Sequence, residues 1–150
     1  MGERGDMTNR LNDMNECQDS IKATLHRFNI KSTQQRKEIA RVMLSKPQHL
    51  SAEQVLSLVN ANGGHVSKAT VYNTLNLFVG KGLIRQVIID PAKVFYDSNT
   101  SYHYHFYNED TGELSDFKSD DEISFDPKHS LPENTVQSGI DVIVRVKKSI

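Results

Sequence analysis

The stretch SKATVYNTLNLFVG, residues 67–80, decides the fold. Ser67 has the side chain of a helix N-cap, and Val71, Leu75 and Phe78 follow at the i, i+4, i+7 spacing that gathers apolar groups on one helix face. The spacing predicts a helix from Lys68 to about Val79, ended by Gly80, that turns Ala69, Tyr72, Asn73 and Asn76 outward. Upstream, Ile21, Leu25 and Phe28 predict a short helix stopping at Asn29. Thr33 is placed to cap a second helix running to Pro47, and Ser51 with Gln54 forms a capping-box pattern for a third, closed by Gly63 and Gly64. Downstream, Leu83 to Ile89 and Lys93 to Tyr96 flank a turn at Asp90 and Pro91 and predict a β-hairpin. Four helices followed by a hairpin make a winged helix-turn-helix.

After the polar run Ser98-Asn99-Thr100-Ser101 the pattern changes to strands. Tyr102 to Tyr107 and Glu113 to Phe117 predict a second hairpin, Asp126 to Gly139 a loop with one helical turn, and Ile140 to Val146 a last strand. The expected fold class is α+β: a polar, flexible N-terminal arm over 1–16, a winged-helix DNA-binding domain over 17–97, a hinge at 98–101, and a small α/β dimerisation and sensing domain over 102–150. A unit that small holds little core of its own, which argues for a homodimer.

Residues 20–89 carry ten Lys or Arg against two acids, and residues 90–150 carry six against twelve. A basic module followed by an acidic one suits a polyanion at the first and cations or solvent at the second. The longest apolar runs fall well short of the roughly 20 residues of a membrane span, and the N-terminal segment has no secretory pattern, so a cytoplasmic protein without a membrane partner is expected. The single cysteine, Cys17, forms neither an intrachain disulfide nor a CxxC zinc pair and reads as incidental; no four-cysteine structural zinc is expected. No nucleophile elbow, P-loop or HExxH spacing is present, which argues against an enzyme.

Two constellations carry chemistry. On the fourth helix Asn73 can pair bidentately with adenine, Tyr72 and Ala69 can touch thymine methyls, and Lys68 and Thr70 can hold phosphates at the amino end. The expected partner is double-stranded DNA rich in A·T pairs. The second constellation is His103 and His105, which the two-residue strand period puts on one face, with Asp97 ending the wing, Asp116 on the neighbouring strand and His49 before the third helix. Imidazoles with carboxylates suit Fe, Mn or Zn. The aromatic residues around His103 and His105 leave haem open as an alternative use of these two histidines, and a metal- or haem-binding protein that reads no DNA sequence remains the rival class.

Thr33-Gln34-Gln35-Arg36 and HVSKATVYNTLN (65–76) resemble the ferric uptake regulator superfamily, and with VFYDSN (94–99), HYHFY (103–107) and ELSDF (113–117) the chain looks most like its iron response regulator branch. The resemblance covers about residues 17–148. It implies a dimeric metal- or haem-responsive regulator, usually a repressor, that grips palindromic A·T-rich operators of iron-homeostasis genes. It also implies that Tyr72 enters the major groove, that Asn73 stands where many members have Arg, and that Lys31 enters the minor groove. The family's regulatory metal positions fall on His49, Asp97, His103, His105 and Asp116. Its CxxC zinc pairs are absent, and Tyr102 and Tyr104 stand where further ligands would be, with Glu122 and His129 as stray candidates. Aspartates at 97 and 116 also resemble the peroxide-sensing branch, in which bound iron drives oxidation of a ligand histidine.

Overall fold

Each helix of the first unit from the second onward begins where a side chain can accept a backbone proton. In this computed structural model, which describes residues 16, 20–117, 131–137 and 140–150, residues 20–27 are helical (α1) and are followed by α2 (Gln34–Leu44), α3 (Ala52–Ala61) and α4 (Lys68–Gly80). The arm at 1–15, Cys17, Glu122 and His129 lie outside the described residues. Thr33 Oγ1 accepts from Arg36 N at 3.3 Å, and Ser67 Oγ accepts from Thr70 N at 3.2 Å. At α3 the capping box is complete: Ser51 Oγ accepts from Gln54 N and Gln54 Oε1 accepts from Ser51 N. Ser51→Ala removes one half of that exchange, so urea denaturation should show a loss of about 1 kcal/mol, and an unchanged midpoint would mean that the cap is idle.

Three helices end in the same six-residue closure. At α1, Ile30 N donates to Leu25 O and Asn29 N to His26 O, with Asn29 at φ +57°. At α3, Gly64 N donates to Val59 O and Gly63 N to Asn60 O, with Gly63 at φ +85°. At α4, Leu83 N donates to Phe78 O and Gly82 N to Val79 O, with Gly82 at φ +78°. The chain therefore turns two residues later than the sequence predicts: Gly80 remains helical, and the left-handed residue is Gly82. A side chain there meets no neighbour, so Gly82→Ala isolates the backbone cost. It should destabilise by about 1 kcal/mol or slightly more, read as a fall of a few degrees in Tm.

Leu25, Ile39, Met43, Val55, Val59, Val71, Leu75, Phe78 and Ile84 are buried together with Tyr96, and they form the core of the first unit. The same unit carries a three-stranded antiparallel sheet ordered β1-β3-β2, from β1 (His49–Leu50), β2 (Arg85–Asp90) and β3 (Lys93–Asp97). The wing turn is held by Asp90 Oδ1, which accepts from Ala92 N at 2.8 Å. The two-residue β1 is too short to show a period, and no local pattern signals its pairing with β3.

The chain divides into two compact units between Thr100 and Ser101. The second holds β4 (Tyr104–Asn108), β5 (Leu114–Phe117) and β6 (Ile143–Val146) in the order β5-β4-β6, with β4 antiparallel to β5 and parallel to β6. Asn108 Oδ1 organises the hairpin turn by accepting from Asp110 N and Thr111 N. Its buried side chains among the described residues are few: Tyr104, His105, Tyr107 and Leu114. Of the loop at 126–139, for which the sequence predicts one helical turn, the described part 131–137 carries a turn in which Thr135 N donates to Pro132 O, and no helix. Among the described residues no helix is long and apolar enough to cross a membrane.

Candidate functional site

The outward face of α4 is polar and open. Val71, Thr74, Leu75 and Phe78 are buried, whereas Lys68, Ala69, Asn73 and Asn76 are exposed and Thr70 is half-buried. Thr33, Gln35, Arg36, Thr70 and Asn73 line a groove of about 410 Å³ between the start of α2 and this face. Lys31 is exposed just before α2, and its carbonyl accepts from Arg36 Nη1 at 3.0 Å. Tyr72 projects outward only in part. Its ring is half-buried against the core, and its hydroxyl donates to Glu53 Oε1 at 2.6 Å. That bond holds the Glu53 carboxyl below its usual range and, together with burial, lifts the Tyr72 phenol above its own.

In the first unit the pairing of β1 with β3 sets His49 opposite Asp97. His49 Nε2 lies 3.1 Å from Asp97 Oδ2, with the side chains 10% and 1% exposed. A carboxylate so deeply buried requires donors or a cation around it. Asp97 Oδ1 accepts from Asn99 N at 2.8 Å. Sequence reasoning missed the brace behind this pair: Ser98 Oγ accepts from Gln48 N, Ser98 N donates to Gln48 O, and the Gln48 side chain donates to Val42 O near the end of α2.

In the second unit the register of β4 and β5 sets His105 opposite Asp116. Asp116 Oδ1 lies 3.1 Å from His103 Nε2 and 3.7 Å from His105 Nε2, and the two rings are 4.5 Å apart. One donor atom from each of the three residues falls within 4.8 Å of the others. His103 Nδ1 contacts Ser101 O at 2.7 Å. A carbonyl can only accept, so Nδ1 carries the proton and, in the neutral ring, Nε2 turns its lone pair toward the carboxylate oxygen. Two lone-pair-bearing atoms at that distance require a proton or a metal ion between them. A backbone acceptor behind the ring is also the usual way in which a ligating imidazole is oriented. The donor set therefore fits a divalent transition metal, while the haem alternative finds no support: His105 is 1% exposed and offers no open ring face.

A model described as the ferric uptake regulator family matches residues 27–139. The chain belongs to this family. A peroxide-responsive repressor, PerR, of Staphylococcus aureus is 31% identical over 103 residues, 69% of each chain. The ferric uptake regulator of Pseudomonas aeruginosa, solved with manganese, superposes with a TM-score of 0.62 at 27% identity, over 84% of this chain and 97% of that one. The Vibrio cholerae ferric uptake regulator shares the fold, with a TM-score of 0.64 at 22% identity over 85% and 98% of the two chains. As a ferric uptake regulator family member the chain is a metal-responsive, DNA-binding transcription regulator rather than an enzyme.

Proposed function

We propose that the chain is a cytoplasmic homodimeric repressor that reads A·T-rich palindromic operators with Lys31, Lys68, Ala69, Thr70, Tyr72 and Asn73. In this reading His49, Asp97, His103, His105 and Asp116 together hold one Fe, Mn or Zn ion. The observation that carries the proposal is the matched pair of half-sites, His49 with Asp97 on the first unit and His103 and His105 with Asp116 on the second. Bound metal supplies a positive charge that several lone pairs can share. The imidazole and carboxylate groups of both units then gain a common partner, which favours one arrangement of the two recognition helices at operator spacing. The iron response branch, with control of iron-homeostasis genes, is the specific member we assign, on HVSKATVYNTLN and on Asn73 at the base-reading position.

Affinity for a duplex selected from a randomised pool should rise about 5- to 150-fold when Mn²⁺ is added to metal-stripped protein and fall back with chelator. Equal affinity in both conditions would refute regulation by metal. Peroxide sensing is the second reading, favoured by aspartates at 97 and 116 and by the peroxide-responsive relatives. Its mark would be the gain of one oxygen atom on a peptide holding His49, His103 or His105 when iron-loaded protein meets peroxide. Unmodified peptides would remove it.

A further inference from the structure

We propose that Glu53 is a positioning residue for base reading: its carboxylate, on the first turn of α3, holds the hydroxyl of Tyr72 so that α4 presents the tyrosine ring rather than its hydroxyl to DNA. The inference rests on the reading of α4 as the DNA-reading helix. Glu53 and Glu38 are the two acids among the ten basic residues of 20–89. An acid beside a phosphate-binding face weakens binding unless it has another task. Glu38 accepts from Gln34 Nε2 within its own helix at 3.1 Å, whereas Glu53 reaches across to α4. The contact joins residues 19 apart in sequence, and at 2.6 Å it is a short, charge-assisted bond.

Lys68 completes the group. Its Nζ lies 5.9 Å from the centre of the Tyr72 ring, and its charge acts on the Glu53 carboxylate. The ring is thus held by the core beneath and by Glu53 at the hydroxyl, while the exposed Lys68 ammonium stays available to a phosphate. A hydroxyl committed to Glu53 is not offered to a phosphate, so the sequence-dependent contact left to Tyr72 is that of its ring with a thymine methyl. Fixing the ring beforehand also removes the cost of ordering it on DNA.

The test is fluorescence anisotropy of the metal-loaded 150-residue chain on a duplex selected by the unsubstituted protein and on the same duplex with its A·T pairs scrambled. Glu53→Ala and Tyr72→Phe should each reduce the ratio of the two affinities by about two- to tenfold. The double variant should fall no further than either single one, and Glu53→Gln, which keeps an acceptor, should retain the ratio. In DNA-free protein the Tyr72 phenol, read as the absorbance difference from the matching Tyr72→Phe chain, should titrate at lower pH once Glu53 is alanine. A role confined to joining the helices would lower stability and leave the ratio intact. Additive reductions, or a Glu53→Ala chain that discriminates like the unsubstituted one, overturn the proposal. A parent chain with no sequence preference at any metal concentration overturns the DNA reading and this inference together, an outcome distinct from the other two.

Discussion

Asn73→Ala should cost about 1 to 3 kcal/mol of affinity for the selected operator, roughly 5- to 150-fold, and almost nothing on scrambled DNA. The residue is exposed on α4, one position from Tyr72, and its neighbours toward the core, Thr74 and Leu75, are buried. Truncating it therefore leaves the packing of the helix intact. An amide can meet adenine with a donor and an acceptor at once, and an alanine leaves both base atoms unpaired. Lys68→Ala makes a useful contrast, because without its ammonium at a phosphate the chain should bind all duplexes more weakly alike, with a salt dependence flatter by about one unit of slope. Should Asn73→Ala weaken binding equally on every sequence, base reading must lie elsewhere on the chain.

His103→Ala should abolish the metal dependence of operator affinity and weaken metal binding by about 100-fold or more, since even residues behind the ligands commonly contribute ten- to a hundredfold. The histidine is poised for ligation by Ser101 O at Nδ1 and by Asp116 at Nε2, and its removal leaves His105 and Asp116 with one donor fewer. Isothermal titration with Mn²⁺ reads the metal affinity, and anisotropy with and without the ion reads the operator response. Binding to DNA that still responded to metal as in the unsubstituted chain would exclude His103 from the switch.

Much of the first unit was legible because its signals are local. Thr33, Ser51 and Ser67 announce helix starts that the caps then use, and the apolar spacing of Val71, Leu75 and Phe78 is the buried face of α4. What the chain hides is tertiary. Gly80 and Gly82 stand two apart in the same turn-prone run, and only hydrogen bonds to Phe78 and Val79 decide which of them turns the chain. Tyr72 looks outward on a helical wheel, but a ring with a polar tip is long enough to lie back toward Glu53, a partner 19 residues away.

The candidate site shows the same division. The HxH spacing brings His103 and His105 together although the strand begins two residues later than the sequence predicts, with His103 just before β4 and His105 within it, and their ring centres are 4.5 Å apart. Nothing local tells that His49 opens a two-residue strand opposite Asp97, or that Gln48 and Ser98 lock that pairing to the end of α2. The bond from Gln48 N to Ser98 Oγ spans 50 residues and is set by the folded sheet rather than by any period in the chain.

Whether the two half-sites serve one ion is tested most directly by counting metal per chain. Elemental analysis of the purified protein after Mn²⁺ or Zn²⁺ loading and desalting should give one regulatory ion per chain, and His49→Ala and His103→Ala should each release that same ion. If each variant instead kept an ion at the half-site it leaves intact, the histidines of the two units would serve separate sites, and the shared regulatory ion would be contradicted.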